Sequence, residues 1–381
     1  MATAKTKKAT SDKAALTDEA RAGALGAFLS QMSKDRPGEV RTLSDDTVMD
    51  VEVFATGAIS LDLALGIGGL PRGRVVEIYG SPGGGKTTLA LATAVNCQKK
   101  GGVVGFVDCE HALSRDLALA MGVDGDNFVV FQPKDGEEAI DMVEQMLRSR
   151  AFAMVVVDSV AAMTPRAEME AEVQQVGMAH HARLMSKFMR RIVGLVGETN
   201  TLLICLNQTR KQLGSYITID APTGGHALPF YSSIRIAVNT SNSKRIEKNG
   251  EFVGSTVVAQ VVKNKLASPF RKAEYDIMFG LGIAGGSSLL TVCEDLGLVV
   301  RAGASYTDAT TGERLGVGKD NVKQLLETDK ELSARLTAAV YSTIESNKRV
   351  AVPSDTVVGT DEYAVEETAS DDAVADESEV A

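Results

Sequence analysis

From Val51 onward, short and almost wholly apolar runs alternate with longer segments of helical character. The runs are RVVEIYG (74–80), VVGFVDCE (103–110), FVVFQP (128–133), FAMVVVDS (152–159), TLLICLNQ (201–208), IRIAVNT (234–240) and TVVAQVVKNK (256–265). The early runs do not alternate apolar with polar positions, so both faces of those strands are expected to be buried. Helices are expected between them at about 86–100, 136–149 and 178–198. Strand–helix–strand repetition of this kind predicts an α/β fold, a doubly wound and mostly parallel sheet. The later strands follow one another without helices, and that edge is expected to be antiparallel.

The two ends read differently. Residues 14–33 suit a helix that RPGE (36–39) ends, set apart from the sheet as an arm would be. After Gly286 come a helix (287–296), a short strand, a turn-rich stretch and a helix at 319–344, which together make a small α/β lobe. Four parts are therefore expected: an N-terminal arm over 1–47, a core over 48–284, a lobe over 285–345 and a tail over 346–381. A chain of 381 residues exceeds the usual single domain, which agrees with a core carrying appendages.

Charge changes the picture of the tail. The whole chain carries 40 Lys and Arg against 50 Asp and Glu, a net charge of −10. Residues 350–381 alone hold ten carboxylates and no Lys or Arg, so residues 1–349 are neutral overall and their basic side chains are free to cluster. The tail is too polar to build a core and is expected to be disordered, an internal competitor for nucleic-acid sites. No apolar run approaches the ~20 residues of a membrane span. The lysines near the N-terminus have no apolar stretch behind them, so no secretory signal is read and a cytoplasmic location is expected. Cys97, Cys109, Cys205 and Cys293 are widely spaced and read as buried thiols, neither disulfides nor a zinc site.

One segment carries strong chemistry. Gly80-Ser81-Pro82-Gly83-Gly84-Gly85-Lys86-Thr87 matches G-x-x-x-x-G-K-[ST], follows a strand and opens a helix that continues through Thr88. Such a loop wraps phosphates with backbone N–H groups, and the helix N-terminus adds a favourable dipole. Lys86 is expected on the β- and γ-phosphates and the Thr87 hydroxyl on Mg²⁺, which makes the core a P-loop ATPase. Asp158 closes an apolar strand where a carboxylate needs a partner, and it is expected to hold the same Mg²⁺ or its water. Glu110 ends the strand after the loop's helix, placed to deprotonate an attacking water; Asp108 is expected to face the same side. Gln208, ending a further strand before a loop, is placed to sense a γ-phosphate. Gly280–Gly285 spells G-x-G-x-x-G but lacks a second βαβ unit, and adjacent His180 and His181 point about 100° apart on a helix, so neither reads as a cofactor or metal site.

With these residues in place, the sequence resembles the bacterial RecA recombinase family over roughly residues 20–345. The blocks that carry the likeness are ATGAISLDLALGIGGLPRGRVVEIYG, FVDCEHAL, VVVDSVAAMTPRAEME, NTLLICLNQTR, PTGGHALPFYSSIR and VVKNKLASPFRKAE. The resemblance implies a RecA-like fold and a DNA-dependent ATPase that forms helical filaments on single-stranded DNA, with ATP at the protomer interface. It implies pairing with a homologous duplex, strand exchange, and self-cleavage of a LexA-type repressor aided by the filament. Glu110 takes the role of catalytic glutamate and Gln208 of γ-phosphate sensor. DNA loops fall after Glu168 to about Ala179 and from Thr209 to about Gly225, with Arg183, Arg210, Gly224 and Gly225 at DNA-contacting positions. Lys263 and Lys265 match lysines that reach a neighbour's γ-phosphate, and the first helix and Phe230 resemble interface elements. The sequence departs from the family at Leu117, where a tyrosine usually stacks on adenine, and at Ser114, where an acidic residue often stands. Pro229, His226 and Phe279 replace a lysine, an asparagine and a tyrosine. A hexameric helicase would share the core but would bring a separate N-terminal domain, for which no residues remain.

Overall fold

The computed structural model describes residues 18–36, 40, 42, 51–170, 179–211, 220–248 and 250–350. The first residues of the expected arm helix, the centres of both expected DNA loops (171–178 and 212–219) and the tail from residue 351 lie outside the described residues.

The chain begins with α1 (Asp18–Asp35), then β1 (Val53–Phe54), α2 (Ile59–Leu65) and β2 (Leu70–Pro71). Strand and helix next alternate through β3 (Val75–Gly80), α3 (Lys86–Lys99), β4 (Val103–Asp108), α4 (Arg115–Ala120), β5 (Phe128–Phe131), α5 (Gly136–Ser149) and β6 (Phe152–Asp158). Two helices, α6 (Arg166–Glu170) and α7 (Ala179–Glu198), precede β7 (Leu202–Lys211). Then come β8 (Asp220–Pro222), α8 (Ala227–Tyr231), β9 (Ile234–Lys248), β10 (Glu251–Asn264), β11 (Lys272–Met278) and β12 (Gly282–Ala284). The last part holds α9 (Gly285–Asp295), β13 (Val299–Ala302), β14 (Ser305–Asp308), β15 (Arg314–Val317), α10 (Lys319–Thr328) and α11 (Lys330–Val350).

The central sheet runs β12-β11-β10-β9-β3-β7-β6-β4-β5, with β8 pairing β7. Strands from β5 to β9 pair in parallel, and β9 to β12 pair antiparallel. The inner apolar strands β3, β4, β6 and β7 are buried on both faces as their composition requires. The edge strand β5 is not: Val129 and Val130 are exposed there, contrary to expectation, because an edge strand has a neighbour on one side only. Val76, Ile78, Val104, Val156 and Ile204 pack with α3 on one side. Val75, Val107, Val155, Val157 and Cys205 pack with α5 and α7 on the other. Helix α5 shows how local sequence serves this layer. Asp135 caps it by accepting from Glu138 N at 2.8 Å, and Ile140, Val143 and Leu147 return to the sheet at helical spacing. The small lobe has its own core around Leu290, Tyr306, Val322 and Leu336, which takes in Ile59 of α2.

Three expectations are corrected. Strands β9 and β10 run well beyond the apolar stretches 234–240 and 256–265, forming a long hairpin whose outer half is polar. There the ladder rests on backbone pairing, such as Phe252 opposite Glu247, so hydropathy could not show it. The expected helix 319–344 is two helices. Asp329 separates them, its Oδ1 accepting from Glu331 N at 3.1 Å and Leu332 N at 2.9 Å, and so caps the start of α11. The turn-rich stretch before them is the three-stranded sheet β13-β14-β15.

Candidate active site

The carboxyl ends of β3, β7, β6 and β4 meet along one edge of the sheet, the edge where open parallel sheets bind ligands. Register aligns them: Gly80 lies beside Gln208 across β3 and β7, and Asp108 beside Asp158 across β4 and β6. The segment Gly80–Gly85 turns from β3 into α3. Gly85 has a φ of 87°, and a Cβ there would stand 2.5 Å from Ile277, so only glycine closes this turn. Lys86 is 8% exposed and folds back over its own loop, donating to Gly80 O at 3.1 Å and Ser81 O at 2.8 Å.

Thr87 Oγ1 donates to Asp158 Oδ2 at 2.7 Å, joining the first turn of α3 to the end of β6. Burial pushes the Asp158 carboxyl up to about 6; Glu110 and Asp108 add to that shift, while the Thr87 hydrogen bond and Lys86 oppose it. Burial also lowers the Lys86 ammonium, against the pull of Asp158 and Glu110. Two carboxylates, Asp158 and Glu110, against one lysine leave this group short of positive charge. A hydroxyl and a carboxylate already in contact are hard oxygen donors, and the set fits a magnesium ion.

Glu110 Oε1 accepts twice, from Ser159 Oγ at 2.5 Å and from Gln208 Nε2 at 2.6 Å. The residue expected to activate water and the residue expected to sense the γ-phosphate are thus in direct contact. Asp108 is placed otherwise than expected. It is 1% exposed and accepts from Ala112 N and Leu113 N, both at 3.2 Å, and from Gln132 Nε2 at 3.0 Å. A buried carboxylate must be satisfied by donors, and here it folds the segment that carries Glu110 instead of facing water beside it.

Behind Gln208 stands a buried network that the sequence reading missed. Glu77, at 0% exposure in mid-β3, accepts from Asn207 Nδ2 at 2.9 Å and from Arg235 Nε at 2.5 Å. Asn207 also donates to Thr223 O at 3.0 Å and accepts from Thr223 Oγ1 at 2.8 Å and Gln208 N at 2.9 Å. The guanidinium of Arg235 lies 4.8 Å from the centre of the Tyr79 ring. A glutamate inside the apolar run RVVEIYG was the signal: it required a buried cationic or amide partner.

Among the described side chains, the remaining predicted residues fall outside the groove's hydrogen bonds; of Arg210 only the backbone is described. Arg183 is exposed on α7, and Arg210 lies on β7 opposite Ala221. Gly224 and Gly225 follow Thr223 with φ of 95° and 71°. Lys263 Nζ donates to Pro229 O at 2.7 Å and Phe230 O at 3.1 Å, at the end of α8, and Lys265 is exposed. Ser114 caps α4, accepting from Leu117 N at 3.2 Å. Gly280 and Gly282 serve the turn between β11 and β12, with φ of 75° and 90°. A cleft of about 900 Å³ lies away from the groove, between β11 and α9. No described helix is long and apolar enough to cross a membrane.

A phosphate loop at the switch edge of a parallel sheet, joined to an aspartate and faced by a glutamate–glutamine pair, defines a class: the P-loop ATPases. Comparison narrows it. The RecA N-terminal domain family matches residues 24–284, and the RecA C-terminal domain family matches residues 287–345. Protein RecA of Caulobacter sp. (strain K31) is 42% identical over 337 residues, 87% of this chain and 94% of its own. Protein RecA of Helicobacter pylori (strain P12) is 42% identical over 338 residues, 87% of this chain and 96% of its own. The solved RadB recombinase structure covers 61% of this chain and 98% of its own at 25% identity, with a TM-score of 0.46. The chain belongs to the RecA family. It is a DNA-dependent ATPase of recombination and repair that binds ATP, DNA and further copies of itself.

Proposed function

We propose that this protein forms helical filaments on single-stranded DNA, holds ATP and Mg²⁺ between protomers, pairs the strand with a homologous duplex and exchanges strands. The observation that carries this reading is the shared oxygen of Glu110, held by both Ser159 and Gln208. A γ-phosphate in the groove competes for the Gln208 amide. When Gln208 turns to it, Glu110 loses one donor and becomes free to take a proton from water; the resulting hydroxide attacks the γ-phosphorus and ADP leaves. The same turn moves the end of β7, which carries Arg210 and pairs with the strand that leads to Gly224 and Gly225.

Gly80, Ser81, Pro82, Gly83, Gly84 and Gly85 cradle the phosphates with Lys86, while Thr88 extends the first turn. Thr87 and Asp158 would hold Mg²⁺, which neutralises phosphate charge when bound. Lys263 and Lys265 act in trans, stabilising charge on a neighbour's γ-phosphate as an arginine finger does. Arg183, Arg210 and the backbone amides at Gly224 and Gly225 grip DNA phosphates, which suits binding without sequence preference. Residues 1–47 pack against the next protomer, 48–284 form the ATPase core, 285–345 the lobe and 346–381 a tail that competes with duplex DNA. The filament acts in the cytoplasm and also aids self-cleavage of a LexA-type repressor.

Electron microscopy with single-stranded DNA and a slowly hydrolysed ATP analogue tests the assembly. Open helical filaments are expected; closed six-membered rings would overturn it in favour of a helicase.

A further inference from the structure

His181 lies in the first turn of α7, where the first expected DNA loop ends, and it touches two otherwise separate parts of the protein. Its Nε2 is 2.9 Å from the carbonyl oxygen of Val160. A carbonyl only accepts, so Nε2 carries the proton and donates, whether the imidazole is neutral or charged. Val160 follows Ser159, the residue whose hydroxyl holds Glu110, and stands two positions beyond Asp158. The His181 ring also lies close to the first glycine of the pair, and the next residue of the helix to the second. A Cβ built on Gly224 would lie 3.4 Å from His181 Cε1 and 3.2 Å from Met185 Cγ, and one on Gly225 would lie 3.2 Å from Ala182 Cβ. Thr223, just before the pair, is bonded to Asn207 and to Gln208 O at 3.2 Å.

The first turn of α7 is therefore clamped between the backbone beyond Asp158 and the backbone that begins the Gly224–Gly225 turn. Packing alone would let these slide; one directional bond, from His181 to Val160, ties them. Without it the Val160 carbonyl keeps, among the described residues, the long contact from Met163 N at 3.4 Å.

We propose that His181 is a positioning residue that couples the nucleotide groove to DNA affinity, by fixing the turn that supports Gly224 and Gly225 to the Val160 carbonyl. The inference rests on the reading of those glycines as DNA contacts. Coupling between two sites requires an element whose position both ligands bias, and this turn is in contact with both sides.

The test uses the full-length protein and compares affinity for a fluorescent oligonucleotide with a slowly hydrolysed ATP analogue and with ADP. The ratio of the two affinities is the coupling. His181→Ala should shrink that ratio about five-fold, the equivalent of one hydrogen bond of ordinary strength. Affinity for the ATP analogue without DNA should stay at the wild-type value, and the melting temperature should fall by no more than a few degrees, as the loss of one hydrogen bond allows. His181→Gln places an N–H donor at the reach of Nε2 and should restore most of the ratio. Ser186→Ala, which removes a hydroxyl bonded to Ala182 O on the same helix, should leave it unchanged. An unchanged ratio in His181→Ala would overturn the inference, as would equal weakening of both affinities or a loss that His181→Gln does not restore. A wild-type protein whose DNA affinity ignores the nucleotide would instead overturn the functional reading on which it rests.

Discussion

Glu110 concentrates the chemistry, because one oxygen accepts from both Ser159 and Gln208 while the carboxylate stands at the open edge of the groove. Glu110→Gln keeps the size and an acceptor oxygen but loses the basicity. Hydrolysis stimulated by DNA should fall at least about 100-fold, the scale of a general base, while ATP and DNA binding persist. Near-normal turnover, measured as phosphate release, would remove Glu110 from the role of base. At this scale the sequence was legible wherever chemistry is local: Lys86 and Thr87 open α3 in one motif and Asp158 ends β6, while Glu110 lies just beyond β4 and Gln208, expected to end its strand, lies inside β7, which runs on to Lys211. It was silent where partners come from register. Nothing local in TLLICLNQ tells that Asn207 meets Glu77, and nothing in FVDCEH tells that Asp108 turns inward to Gln132.

Between elements, the joint of α2 and α11 has a polar hinge pin. Asp62, fully buried, accepts from Tyr341 Oη at 2.6 Å and from Thr56 N at 2.9 Å. Burial pushes its carboxyl from an ordinary 3.8 up to about 6, although the bonds from Tyr341 and Thr56 pull the other way. The folded state thus binds the proton more tightly than the unfolded chain, and stability should decline as pH rises from about 4 to about 6. Tyr341→Phe removes a donor and should cost about 1–3 kcal/mol where Asp62 is ionised. The cost should shrink below pH 6, where the carboxyl is neutral; thermal melts of both proteins at pH 5 and pH 8 check it, and an equal loss at both would refute the assignment. Element boundaries were readable where apolar period and caps coincide, as over Gly136–Ser149. They were hidden where a helix breaks without Gly or Pro at Asp329, or where a ladder runs through polar residues beyond Thr240.

For the whole molecule, one chain supplies only part of the proposed ATPase. Lys263 caps α8 of its own chain through Pro229 O and Phe230 O, and Lys265 is exposed, so both face the question of what a neighbour brings. If they act in trans, a Lys86→Ala protein and a Lys263→Ala/Lys265→Ala protein are each inactive alone. Mixed, they should recover part of the hydrolysis at junctions that pair an intact phosphate loop with intact lysines. Mixed filaments with no recovery would contradict the trans role. This level was the least legible in the sequence, since an interface leaves no periodic trace, and only the family resemblance singled out these lysines.

The account as a whole stands or falls on strand exchange. Incubated with circular single strands, a homologous linear duplex, ATP and Mg²⁺, the protein should convert the duplex into nicked circular product, and Glu110→Gln should carry few molecules to completion. Omitting nucleotide should abolish the product. Brisk DNA-stimulated hydrolysis with no exchanged product, on DNA that the protein demonstrably coats, would contradict the central claim.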